Sequence, residues 1–147
     1  EAESEAMILH ELGEARAESL LGADWNAMLG GLASRHAELL ARAVRDHLAD
    51  CLVTLPTLLE RDATGSLHFY LANLSGLRRA LFPALPLAYE GWLVHRDRTP
   101  LADLVAQGAI HWLDKARLLT AVYHRDPAAG DTQIALLAGS DLAGLRL

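Results

Sequence analysis

Apolar side chains recur at Trp25, Leu29, Leu32, Leu39, Leu40, Ala43, Val44, Leu48, Leu52 and Leu55, the three-and-four spacing of a helix with one buried stripe. No other stretch of the chain constrains the fold as much. Asp24 offers a carboxylate to the free N–H groups of a first turn, and Pro56 ends or kinks the helix near Thr54–Leu55. The spacing therefore predicts one long central helix, on the order of 45 Å from Trp25 to Leu55 at the helical rise. A rod of that length needs several shorter neighbours, or a second copy of itself, to cover its stripe. Gly30-Gly31 lies in its first third and marks either a kink or a close approach by another backbone. Apolar spacing that runs through the pair unbroken favours close approach.

Composition supports helix throughout. The 147 residues include 31 Leu and 26 Ala against 5 Val, 3 Ile and 6 Thr, so good helix formers dominate and β-branched residues are scarce. The net charge of −6 is unevenly placed. Glu1, Glu3, Glu5, Glu11, Glu14, Glu18 and Asp24 face a single basic group, Arg16, in residues 1–24, while the remainder is balanced. With no basic field, neither nucleic acid nor an anionic membrane is expected as a partner. Cys51 is the one cysteine; it excludes an internal disulfide and fits a reducing, cytoplasmic setting. The absence of an initiator Met and the apolar end Leu145-Arg146-Leu147 suggest a single domain, 1–147, taken from a longer protein.

In chain order, Ser4 caps a first, acidic helix over about 5–21, closed by Gly22, so that residues 1–23 form an acidic N-terminal helix and 24–147 a bundle. After the central helix, Arg61–Gly65 is a polar turn, and Ser66 caps a third helix over about 67–82. Pro83 and Pro86 bound a short break. Leu87–His95 is read as helix rather than strand. Thr99-Pro100 starts a helix that runs to about Arg125, and a last one covers about 132–138, ending at Gly139-Ser140. The expected fold is all-α: a bundle of four main helices plus short helical segments.

Seven histidines in a chain of this size invite a metal or haem reading. His47 and Cys51, four residues apart on one helix face, could share a Zn²⁺ ion if another helix supplied further ligands. Haem would need one axial histidine and a large apolar pocket, which the sequence does not single out. Asp46 and Asp50 share a face with Arg42 and Arg45 nearby and read as a solvated, ion-paired surface. Arg78, Arg79, Arg96 and Arg98 flank the proline-bounded segment; their forks suit an anion such as a phosphate, although such arginines more often pair with carboxylates or lie over apolar surface. No nucleophile elbow or phosphate-cradling glycine loop is present.

The segment Leu85-Pro86-Leu87-Ala88-Tyr89-Glu90-Gly91-Trp92-Leu93-Val94-His95-Arg96 resembles a stretch of helical sensory or middle domains in bacterial cyclic-di-GMP signalling proteins, which lie beside GGDEF or EAL catalytic modules. The resemblance covers about 12 residues. It implies a homodimeric helical domain that relays a signal to a covalently linked output module, with Trp92 and His95 where helices meet. The zinc-binding kind of such domains places a Cys shortly before the Trp, and none stands here. The leading expectation is thus a non-catalytic regulatory domain, with Trp92, His95, Arg96, Trp112, Arg78 and Arg79 as candidate pocket residues. A helical sensor holding metal, haem or a small organic molecule is the alternative, and a small enzyme of unknown reaction the second alternative.

Overall fold

A computed structural model describes residues 1–137, and every regular element among them is helical. The elements are α1 (Ala2–Gly31), α2 (Arg35–Ala49), a π-helical turn (Asp50–Thr54), α3 (Leu55–Glu60), α4 (Thr64–Asn73), α5 (Gly76–Leu81), α6 (Ala84–His95), α7 (Thr99–Arg125) and α8 (Pro127–Leu136). Three long stretches carry the packing: α1, the continuous run from α2 through the π turn into α3, and α7. The shorter α4, α5, α6 and α8 cover them. The core gathers Trp25, Met28, Leu40, Val44, Leu48, Leu58 and Trp112, each wholly removed from solvent. No described helix is long and apolar enough to cross a membrane.

The single central helix over Trp25–Leu55 is not formed. The chain breaks at residues 32–34, immediately after Gly30-Gly31. Ser34 restarts it as an N-cap, its hydroxyl accepting from the Ala37 N–H at 3.3 Å, while its own N–H donates to both carboxylate oxygens of Asp131 at 3.1 and 3.0 Å. Apolar spacing could not reveal this break, because Trp25 and Met28 on α1 and Leu40 and Val44 on α2 enter the same core from two directions. Gly31 does meet a close neighbour, but it is the Tyr123 side chain rather than a backbone. Gly22 has φ +73° and ψ −164°, a conformation open essentially to glycine alone, so helical geometry is interrupted where the first helix is expected to close, and two helical segments meet at a kink within Ala2–Gly31. Asp24 lies inside α1.

What survives of the long rod is Arg35 to Glu60, helical throughout but interrupted by the π turn. There the Leu55 N–H reaches back five residues to the Asp50 carbonyl. Pro56 supplies the cause: it has no N–H, and its ring would crowd the carbonyl four residues back in an α-helix. Widening the preceding turn relieves that crowding without breaking the helix.

Elsewhere the differences are local. The helix expected over 67–82 is two, α4 and α5, parted at Leu74–Ser75 with Gly76 at φ +58°. Ser66 caps nothing; its hydroxyl donates to Glu5 at 2.8 Å. Leu87–His95 is helical, as expected, and Pro86 lies within the first turn of α6, where a missing N–H is harmless. At the start of α7 the Thr99 N–H donates to Asp97 at 3.0 Å, so Asp97 provides the cap expected from Thr99. Asp126 caps α8 through the Ala129 N–H, which places its start at Pro127 rather than 132; Gly139-Ser140 and Leu145–Leu147 lie outside the described residues.

A candidate ligand site over a buried carboxylate

The π turn sets the position of one side chain above all. Asp50 is its first residue and is fully buried. A carboxylate out of water is costly unless its lone pairs are filled, and here four groups fill them. His10 Nδ1 on α1 lies 2.8 Å from Oδ1, and the Thr54 hydroxyl donates to the same oxygen at 3.0 Å. Tyr70 on α4 donates to Oδ2 at 2.7 Å, and Arg78 on α5 forms an ion pair with that oxygen. The Arg78 guanidinium also reaches the Tyr70 hydroxyl at 3.2 Å. Burial alone would raise the Asp50 pKa, but the hydrogen bond from His10, the charges of Arg78 and His10, and the Tyr70 hydroxyl outweigh it and leave it below the ordinary carboxylate value. The bond to Asp50 in turn raises the His10 pKa against its partial burial. Burial drives the Tyr70 phenol well above its usual value, so it remains a donor.

A cavity of about 210 Å³ opens beside this cluster, lined by Ala6, Met7, His10, Phe69, Tyr70 and Arg78, with Glu11 and Asn73. Its surface is mostly apolar, and its polar contributions include three of the groups that hold Asp50. Asn73 bonds only within its own helix, to the Phe69 carbonyl at 2.8 Å. The site is therefore a small hollow with an apolar wall and a hydrogen-bonding, partly cationic end.

Of the residues singled out from sequence, only Arg78 belongs to this site. Arg79 is exposed and lines a separate hollow with His68 and Tyr89. Trp92 is half-buried beside Tyr89 and His68, with ring centroids 5.9 and 6.1 Å away. His95 ends α6, and Arg96 follows in a left-handed turn at φ +59°, both exposed. Trp112 is core, stacked on the His47 ring at 4.8 Å.

His47 and Cys51 are both buried, and no third metal-ligating side chain gathers with them among the described residues. His47 Nε2 lies 2.7 Å from the Arg78 carbonyl and donates to it, and its Nδ1 has no hydrogen-bond partner among the described residues. Burial lowers its pKa to about 4, with the Arg78 charge adding to the effect. Burial pushes the Cys51 thiol up. Asp50, read from sequence as solvated, is the most consequential difference. Helical spacing places it beside Asp46 correctly, but three of its four partners lie 20 to 40 residues away in sequence. The one local signal was Pro56, which explains the widened turn that carries Asp50.

The chain belongs to the family whose C-terminal domain is described as DUF6866, a family of unknown function; the model of that domain matches residues 1–140. Neither the curated proteins nor the solved structures yielded a match.

Proposed function

We propose that this family member is a ligand-binding regulatory domain, in which a small organic molecule occupies the cavity between α1, α4 and α5. The observation that carries the reading is the buried Asp50 carboxylate, held by side chains from α1, α4 and α5 on a π turn, with three of its partners lining an open, apolar-walled hollow. Isolated buried charges are retained at a cost, and single π turns occur frequently at functional sites. A volume of about 210 Å³ falls below the roughly 300–1,000 Å³ of drug-sized sites, so the ligand is fragment-sized. Because its polar end touches the groups that hold α1, α4 and α5 together, occupancy would bias how those helices pack. A family defined through a C-terminal domain supports a role as one module passing that bias to another.

The relay by a single overlong helix, with a homodimer covering its stripe, loses its motivating feature. The rod is broken after the paired glycines, and its inner residues Trp25, Leu40, Val44, Leu48 and Leu55 are buried within one copy. Ligand-observed NMR with a fragment library tests the present reading. Fragments that bind the wild-type chain should be displaced in Asn73→Trp, which fills the mouth of the cavity from an exposed position. A library without binders, or binders indifferent to that substitution, would overturn it.

A further inference from the structure

Beside the cavity, and sharing His10 with its lining, the seam between α1 and α2 holds a second set of converging donors. The two backbones touch there: a Cβ on Gly13 would lie 2.5 Å from the Ala49 carbonyl oxygen. This approach sets two pairs at i,i+4 spacing against each other, His10 with Glu14 on α1 and Asp46 on α2 with Asp50 at the start of the π turn. His10 Nε2 is 3.0 Å from Glu14 Oε1, and ligand atoms of His10, Glu14 and Asp46 all lie within 4.8 Å of one another. Donors from facing helices are how metal sites are built in bundles.

A separate observation fixes which nitrogen serves. Asp50, wholly buried, accepts from His10 Nδ1 at 2.8 Å, and is itself held by Tyr70, Thr54 and Arg78. With Nδ1–H committed to Asp50, Nε2 faces Glu14 at 3.0 Å, and a metal ion binding there takes the place of the proton the two would otherwise share. Metal-ligating histidines almost always hand their other N–H to a carboxylate, carbonyl or water in this way. The three side chains are between a fifth and a third exposed, so an ion can enter.

We infer that His10, Glu14 and Asp46 bind a divalent transition-metal ion, with Nε2 and the two carboxylates as ligands, water completing the shell and Asp50 positioning the imidazole. One imidazole with two carboxylates suits Zn²⁺ or Mn²⁺ over Mg²⁺, which prefers oxygen ligands and retains its waters. Arg45 is the competing cation. Its Nη2 lies 3.0 Å from Asp46 Oδ1 and 3.4 Å from Glu14 Oε1, so it holds both carboxylates in place and must swing aside for the ion. Of the three ligands only His10 also lines the cavity, so ion binding does not require the cavity to be filled.

Isothermal titration of ZnCl₂ into the chelator-treated full chain tests it. One equivalent should bind, with affinity reduced about tenfold or more in Glu14→Gln and in Asp46→Asn. Removing the competitor in Arg45→Met should tighten binding by about tenfold, an outcome that unfolding cannot produce, and MgCl₂ should bind far more weakly than ZnCl₂. Three results would each overturn the assignment: no saturable uptake, uptake unaffected by both carboxylate changes (the ion then resting on other histidines), or Arg45→Met binding no tighter than wild type. Magnesium equal to zinc would do the same.

Discussion

Two faces of one helix, α2, treat a buried polar group in opposite ways. Toward α1 it presents Asp46, with Asp50 just past its end on the π turn, to a seam of hydrogen bonds and ion pairs. Toward α7 it presents His47 to a dry pocket of Trp112 and Phe82, with one ring nitrogen unsatisfied among the described residues. Arg78 serves both, its guanidinium on Asp50 and its carbonyl on His47. The histidines record the difference. His10, beside Asp50, has its pKa raised; His47, among rings and near the Arg78 charge, has its lowered to about 4. Packing partners, not residue type, decide which charge state this fold tolerates.

The largest effect should come from emptying the seam. Asp50→Ala leaves Arg78, His10 and Tyr70 facing one another without their shared acceptor, and breaking a buried ion pair from one side costs about 3–5 kcal/mol. Chemical denaturation should show that loss. A cost under about 1 kcal/mol would mean the seam is solvated, like the exposed pairs to which such small values belong, and the contrast between the two faces would disappear.

On the dry face, pH is the probe. The folded His47 pKa lies below its unfolded value, so the unfolded chain binds the proton first. Its contribution is intact above about pH 6.5 and is lost as pH falls toward about 4, on the order of 3 kcal/mol across the window. His10 has the reverse sign: its contribution is present below the unfolded value and fades as pH rises through the raised folded one. Denaturation midpoints of wild type and His47→Gln, compared from pH 7 to pH 4.5, should converge in acid. Parallel profiles would show that His47 is not held neutral.

Glycine spacing separates the faces by a smaller margin. An added Cβ at Gly13 meets the Ala49 backbone carbonyl at 2.5 Å, whereas at Gly108 it meets the Cys51 sulfur at 2.7 Å. Each Gly→Ala change should cost about 1–3 kcal/mol by overpacking. Cys51→Ala should recover much of the Gly108→Ala loss, since the obstacle is a side chain. Ala49→Gly should not rescue Gly13→Ala, where the obstacle is backbone. Thermal melts of the two double variants check the asymmetry, and equal rescue would remove it.

The sequence made the helices readable and the seam unreadable, for a physical reason. Thr99-Pro100 and the apolar periodicity are local signals, and α7 ends at Arg125 as they imply. Gly22 likewise interrupts helical geometry where the first helix is expected to close. The site depends on register between helices: Gly13 against Ala49 brings His10 to Asp50 across 40 residues, and no short-range pattern encodes that. Arg78 pairs with a carboxylate of the protein, the commoner of the two uses expected of it. Trp112 was chosen as a pocket aromatic and is core, because its spacing on α7 matches that of its buried neighbours Val105, Ala116 and Leu119.

The smallest effect concerns Thr54, which closes the π turn. Its hydroxyl donates to Asp50 Oδ1 at 3.0 Å, an oxygen that His10 also reaches. Thr54→Val removes a donor of similar shape and leaves the carboxylate with three partners, so the net loss should be about 1 kcal/mol, that of an ordinary hydrogen bond. If the seam acts as one network, the same change made in the His10→Asn background should cost more, because Oδ1 then rests on Thr54 with a weaker, neutral second donor. A double-mutant cycle measures that excess. Strict additivity would show that the four partners hold Asp50 independently, and that the seam, like the dry face, is a sum of local contacts.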